Sequence, residues 1–162
     1  MHSLLLAGAI FLAAPFPEKG IASRYPGDRE IEKDSSVVFV ENFEEPSPEE
    51  LWKRWETVGD KPGQSFSAEI PSGSSGKQSL VTERQRGPGA QLFRRLKNKS
   101  GGWGHDRIFA RYYVKFDPEC GEIHHFGTCL GGYNPPQPWP MVSAGRPTDG
   151  AVSFWSGIEP FG

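Results

Sequence analysis

The stretch DRIFARYYVKF, residues 106–116, decides the fold that this sequence predicts. Its side chains alternate, with one row mostly apolar and the other row charged or aromatic. A period of two with many β-branched and aromatic residues is typical of a β-strand that buries one face. The predicted buried row consists of Ile108, Ala110, Tyr112, Val114 and Phe116.

The opposite row of this predicted strand consists of Arg107, Phe109, Arg111, Tyr113 and Lys115. Two guanidiniums, an ammonium, a phenol and a phenyl ring suit a groove that grips a long, polar and acidic ligand. The alternative is a solvated sheet face on which the Arg and Lys stems cover apolar surface. The pattern does not decide between them, because exposed charge on a strand is common.

The composition indicates one all-β domain. The chain has 162 residues, enough for a single domain of ordinary size. With 20 Gly, 15 Pro and 11 Phe, it has frequent turn formers between short aromatic runs, which favours strands joined by turns. A net charge of −2 gives no overall positive field for nucleic acid. No apolar run is long enough for a membrane helix, so we expect no membrane span.

The first residues resemble an export signal. Residues 4–14 form an apolar run of signal-peptide length, and residues 20–22 form a small-x-small cleavage pattern. No Lys or Arg precedes the run, and the alternative is a buried N-terminal strand or helix. We expect a secreted or periplasmic protein with a signal peptide at 1–22, a polar linker at 23–35 and a domain at 36–162.

Turn formers and alternation divide the domain into about seven strands and one short helix. Ser47 as N-cap and Pro48 at the first helical position predict a helix that runs to about Trp55, with Leu51 on its core side. The predicted strands are 36–43, 64–70, 78–84, 90–96, 107–116, 123–131 and 151–155, the fifth pairing with the sixth across 117–121.

The two cysteines, Cys120 and Cys129, leave two alternatives open, a disulfide in an exported protein or two free, half-buried thiols. No third or fourth ligand accompanies them, so they predict no zinc site. The adjacent His124 and His125 would point to opposite faces of a strand. No dense cluster of Asp residues indicates calcium, so we expect no cofactor.

Several short motifs resemble the concanavalin A-like lectin and glucanase superfamily. They are VVFVENFEE at 37–45, GKQSLVTE at 76–83, GPGAQLFRRL at 87–96 and RIFARYYVKF at 107–116. Within that superfamily the chain looks most similar to alginate and glucuronan lyase-like domains, and to uncharacterised exported bacterial proteins that share a stretch seen here at 124–162.

The resemblance implies an all-β fold, an antiparallel β-sandwich of the jelly-roll type. It also implies that the sandwich is incomplete at the C-terminus of this chain, because those exported proteins continue past the position of Gly162. Structural Ca²⁺ is common in the superfamily, although this sequence does not indicate it.

The sequence departs from both chemistries known in the superfamily. The lyase-like relatives have Gly-Lys-Leu-Pro-Gly after the long strand, whereas the comparable residues 125–132 are HFGTCLGG, without the Lys. The paired acids Glu-x-Asp-x-x-Glu of the glucanases are also missing from the sequence, which disfavours hydrolysis between two carboxyls.

A lyase acting on a uronic acid polymer needs a cation or donor that neutralises the carboxylate and a base that removes the adjacent proton. The predicted catalytic residues are Tyr113, His125, Arg111 and Lys115. For each His the alternative is a hydrogen-bonded structural residue. The predicted substrate-binding residues are Trp155, Trp139, Tyr133 and Arg107, since aromatic faces stack on sugar rings. Trp139, between two prolines, is also explained as packing its own long loop.

The predicted function is therefore that of an exported, monomeric, polysaccharide lyase-like protein that binds an acidic polysaccharide in a concave groove. One alternative is a non-catalytic glycan-binding or cell-surface module with the same groove. The other is a truncated chain without activity of its own.

Overall fold

The computed structural model describes residues 20–83, 90–121, 123, 127–135 and 151–157. Their regular structure is mainly antiparallel β with little helix, which is compatible with the predicted all-β class. The α-helix is α1 (Pro48–Trp52), and the strands are β1 (Thr57–Gly59), β2 (Gln64–Ser67), β3 (Ser79–Thr82), β4 (Gln91–Phe93), β5 (Leu130–Tyr133) and β6 (Ser153–Ser156). Short 3-10 helices are Ile21–Arg24, Pro26–Asp28, Ile31–Lys33 and Lys61–Gly63.

The six described strands pair into three two-stranded antiparallel sheets, β1 with β4, β2 with β3, and β5 with β6. In the second sheet Phe66 lies opposite Leu80, and in the third Trp155 lies opposite Gly131. Sheets of two strands each do not by themselves form the two packed layers of a jelly roll. The described part of the chain therefore shows antiparallel β structure, but it does not show the predicted sandwich.

Helix α1 begins where the sequence predicts. The Ser47 hydroxyl accepts a hydrogen bond from the Glu50 N–H at 3.4 Å, and Pro48 occupies the first turn. The helix ends at Trp52, three residues earlier than predicted. The reason is that the following backbone bonds span three residues, as in Trp55 N to Trp52 O at 3.2 Å, which tightens the chain into a 3-10 turn.

The core of the described residues is small and centres on α1. Leu51 is fully buried and is the one fully buried large side chain in that part of the chain. Trp52 Nε1 donates to Gln64 Oε1 at 2.9 Å, which ties α1 to β2. Phe39 meets Trp55 edge to face at a centroid distance of 5.3 Å. One helix, one strand and the segment before the helix thus share a compact contact region.

The predicted strand at 36–43 is wrong, since residues 37–44 belong to no helix or strand. Side chains from other segments hold the backbone carbonyls instead. Arg54 Nη2 donates to Val40 O at 2.8 Å, and Gln78 Nε2 donates to Phe43 O at 2.5 Å. A carbonyl that accepts from a side chain is satisfied without a neighbouring strand.

The predicted strand at 107–116 is also wrong, because residues 107–117 join no strand ladder. Its predicted partner, 123–131, overlaps β5 only at residues 130–131, and β5 pairs with β6. Because no sheet in the described part of the chain covers it, most of the row that was predicted to be buried is exposed to solvent. Val114 and Phe116 are exposed, and only Ile108 and Tyr112 of that row are partly buried.

Within the predicted linker, the turn Pro26–Asp28 packs against the loop that precedes β3. Ser75 N donates to Gly27 O at 2.9 Å. Gly27 has a φ of 65°, and a Cβ at this position would lie 2.1 Å from Gly73 O. The close approach therefore requires glycine at residue 27. Among the described residues, no helix has the length and apolar character needed to cross a bilayer.

Candidate functional site

The strip, our name for Arg107, Phe109, Arg111, Tyr113 and Lys115, lies on the surface of the protein. All five side chains belong to exposed residues, and Phe109 and Tyr113 are 84% and 60% exposed. Single exposed apolar residues are normal on a surface, so the exposure is informative only because two rings and three cations share one short stretch. Ala110, Val114 and Phe116 of the opposite row are exposed as well, so exposure alone does not distinguish the two predicted faces.

Two cations of the strip pair with acids from distant parts of the chain. Arg111 pairs with Asp28, and Lys115 pairs with Glu69. These pairs connect the strip to the Pro26–Asp28 turn and to the segment after β2. Solvent-exposed pairs contribute only about 0–1 kcal/mol, so an acidic ligand can replace either partner at low cost.

Arg111 and Tyr113 also lie beside one another. The guanidinium carbon of Arg111 is 5.7 Å from the centroid of the Tyr113 ring. The arrangement places a cation and a phenol hydroxyl on one open surface. These are the two groups that the predicted β-elimination needs next to the sugar carboxylate.

The strands β5 and β6 bring Tyr133 and Trp155 onto one face. Trp155 is opposite Gly131 and Tyr133 is opposite Ser153. The two aromatic residues are therefore diagonal neighbours, about 7–8 Å apart in such pairings. The other predicted site residues, His125 and Trp139, lie outside the described residues.

A cleft that the sequence does not predict lies elsewhere, next to Trp103. The Trp103 cleft has a volume of about 260 Å³ and is lined by Val38, Glu56, Arg94, Arg95, Leu96, Lys97 and Trp103. Its sequence signal is three cations within residues 94–97. That signal is easily missed, because the same segment fits a strand followed by a loop.

Metal and disulfide chemistry find no support in the described part of the chain. No group of three or more His, Cys, Asp or Glu there is arranged to hold a metal ion. Cys120 and Cys129 are not joined by a disulfide. Cys129 is partly buried, as the second alternative expects, whereas Cys120 is exposed.

The chain matches no protein-family model, no curated protein and no solved structure. The likeness to the concanavalin A-like superfamily therefore rests on the short motifs alone and stays a prediction.

Proposed function

We propose that this protein binds an acidic polysaccharide along the strip. The observation that carries the proposal is the exposure of Phe109 and Tyr113, at 84% and 60%, between Arg107, Arg111 and Lys115. Aromatic faces suit the apolar faces of sugar rings, and guanidiniums bind carboxylates through paired hydrogen bonds. The strip alternates rings and cations, and an acidic polysaccharide repeats sugar rings and carboxylates, so the two patterns are complementary.

The proposal includes the fold and the location expected from the sequence. We infer a concanavalin A-like antiparallel sandwich, supported by the four motifs and by the antiparallel pairing of all six described strands. We also infer export, supported by the apolar run at 4–14 followed by a small-x-small pattern.

A second function, β-elimination of a uronate polymer, is favoured by one specific observation. Arg111 lies beside Tyr113, with the guanidinium carbon 5.7 Å from the ring centroid. In this scheme the guanidinium neutralises the sugar carboxylate, and Tyr113 in its deprotonated form takes the proton from the adjacent carbon. The Tyr113 hydroxyl then gives this proton to the glycosidic oxygen, whose bond to the sugar carbon breaks as the double bond forms.

Binding is tested by retention of the protein on immobilised alginate and polyglucuronate, with an uncharged glucan as the control polymer. We expect retention on the acidic polymers alone. Phe109→Ser should weaken binding roughly fivefold to tenfold, since a ring contact contributes about 1 kcal/mol. Val114→Ser, an exposed change in the opposite row, serves as the matched control. Equal retention of both variants would contradict the proposal.

β-Elimination is tested separately by the ultraviolet absorbance of the unsaturated uronate product. We expect Tyr113→Phe to abolish the signal and to leave retention on the polymer unchanged, because only the proton acceptor is lost. Turnover by Tyr113→Phe equal to that of the unaltered protein would remove Tyr113 from the mechanism. Retention without any absorbance change would establish the binding function alone.

A further inference from the structure

The Trp103 cleft combines positive charge with a size suited to a small ligand. Arg94, Arg95 and Lys97 line it together with one carboxylate, that of Glu56, which pairs with Arg95, and the space is about 260 Å³. Pockets for drug-sized ligands span about 300–1,000 Å³, so this cleft suits a single ring or a small anion. Its excess of cations contrasts with the chain as a whole, which carries a net charge of −2.

The cations of the cleft are held in place before any ligand arrives. Arg95 Nε donates to Glu56 Oε2 at 2.7 Å, and the Arg95 guanidinium lies 4.7 Å from the centroid of Trp103. The Lys97 ammonium is 5.2 Å from the same ring, and the backbones of Lys97 and Trp103 form a β-bridge. Fixed side chains lose little conformational entropy on binding, which favours affinity.

Arg94 is anchored by residues outside the cleft lining. Its Nη1 donates to Arg54 O at 2.5 Å, and its guanidinium lies 4.8 Å from the centroid of Phe39. A guanidinium has five N–H donors on three nitrogens. The bonds to Arg54 O and Glu56 Oε2 engage one nitrogen of Arg94 and one of Arg95, respectively. Donors on the other nitrogens can therefore bind the oxygens of a ligand.

We propose that the Trp103 cleft is an oxyanion-binding site, which takes one small acidic molecule or one acidic unit of a polymeric ligand. The carboxylate of a sugar acid and a phosphate group share the required chemistry, since both accept paired hydrogen bonds from guanidiniums. Arg94, Arg95 and Lys97 bind the oxygens. Trp103 orients Arg95 and Lys97, and Glu56 orients Arg95. The carboxylate of Glu56 repels a second negative charge close to Arg95.

The position of the cleft links it to the strip. Trp103 precedes Arg107 by four residues, so their Cα atoms are at most about 14 Å apart. One acidic glycan can therefore contact both places, in which case the cleft binds an acidic residue beyond the strip. Only this extension rests on the proposed function, because the oxyanion site itself is measurable with small ligands.

The site is tested by NMR titration of the full chain with sodium glucuronate, inorganic phosphate and glucose. We expect an oxyanion to bind and glucose to fail. Arg94→Gln and Lys97→Gln should each lower the affinity for the anion about tenfold, because each removes one charge-assisted hydrogen bond. Lys99→Gln is the matched control, because it removes an equal charge two residues beyond Lys97 and outside the lining. Circular dichroism checks that each variant is folded.

The outcomes separate this proposal from the proposed function. Preference for glucuronate assigns a sugar acid to the cleft, and preference for phosphate assigns a phosphorylated ligand. The proposed site would be overturned if glucose bound as well as the anions or if neither anion bound. It would also be overturned if Lys97→Gln and Lys99→Gln had equal effects. Anion binding without retention on acidic polymers would support the cleft and refute binding along the strip. Retention on acidic polymers without binding of small anions would support the strip and refute the cleft.

Discussion

At the scale of single residues, the most consequential contact is the one between Glu41 and Arg54. The Glu41 side chain is 8% exposed, and Oε1 accepts from Arg54 Nη1 at 2.9 Å. Burial raises the pKa of Glu41, while the N–H of Phe43 and the charge of Arg54 act in the opposite direction. Arg54 Nη1 also contacts Glu45 Oε1 at 2.5 Å, so one guanidinium compensates two carboxylates.

Replacing Arg54 should therefore destabilise the protein. Arg54→Met leaves the buried Glu41 without its cation, a change that costs about 3–5 kcal/mol for fully buried pairs. Because the Arg54 side chain is 34% exposed, we expect a smaller loss, about 2 kcal/mol in the free energy of unfolding measured with urea. Lys53→Met removes a neighbouring exposed pair with Glu50 and should cost less than about 0.5 kcal/mol. Equal losses for the two variants would contradict this role of Arg54.

Asp34 is a second almost buried carboxylate, which pairs with Arg24 at 2.8 Å and accepts from Ser36. The hydroxyl of Ser36 donates to Asp34 Oδ1 at 2.6 Å and the Ser36 N–H donates to the same oxygen at 2.8 Å. These two bonds are the largest causes that lower the pKa of Asp34. A carboxyl with a lowered pKa releases its proton more readily in the folded state, so it adds stability above its ordinary pKa of 3.8. That contribution is lost as the pH falls further, through the folded-state pKa.

Ser36→Ala should accordingly have a pH-dependent effect. We expect a lower urea midpoint than that of the unaltered protein at pH 7, because the charged form of Asp34 loses its hydroxyl donor. The deficit should shrink at pH 3, where Asp34 is already mostly protonated in the unfolded state. Ser35→Ala, at an exposed neighbouring position, is the control. A deficit of the same size at both pH values would show that the hydroxyl acts through packing alone.

At the scale of elements, α1 is short and depends on its contacts more than on its own propensity. A helix of five residues is far below the length that is stable alone. Its Ser47 cap and its buried Leu51 compensate for this. The contact of Trp52 with Gln64 then joins the helix to β2.

Leu51→Ala should be the most damaging apolar truncation in the described part of the chain. We expect a loss of about 3 kcal/mol in the free energy of unfolding, the usual range for a buried leucine being about 2–5 kcal/mol. Leu80→Ala, in β3 and only partly buried, should cost clearly less. A similar loss for both variants would mean that Leu51 does not dominate this small core.

At the scale of the whole molecule, binding of a polyanion depends on where the charges lie. The net charge is −2, so attraction of an acidic polymer must come from local groups of cations. The strip contains Arg107, Arg111 and Lys115, and the Trp103 cleft contains three more cations. Arg111, Lys115 and Arg95 are each paired with one acid. Local attraction of this kind is screened by salt.

Retention on an acidic polymer should therefore fall steeply with salt. Raising NaCl from 0.1 to 1 M shortens the screening length from about 10 Å to about 3 Å, and we expect roughly a tenfold loss of affinity. Binding measured across a salt series checks this. Affinity that stays constant would show that ring contacts alone bind the polymer.

Local chemistry explains which elements are readable from the sequence. The strands β2, β3 and β4 lie inside the predicted ranges 64–70, 78–84 and 90–96, because alternation and flanking turn residues are signals carried by neighbours. The start of α1 at Pro48 is readable for the same reason. Each signal extends over only a few residues.

The sequence by itself thus determined the helix start and three short strands. Only the tertiary structure decided that residues 107–117 join no ladder, that Arg111 and Lys115 pair with Asp28 and Glu69, and that Trp103 meets Arg95. The physical reason is distance along the chain. Strand pairing and ion pairing join residues tens of positions apart, and local alternation carries no information on which partner is available.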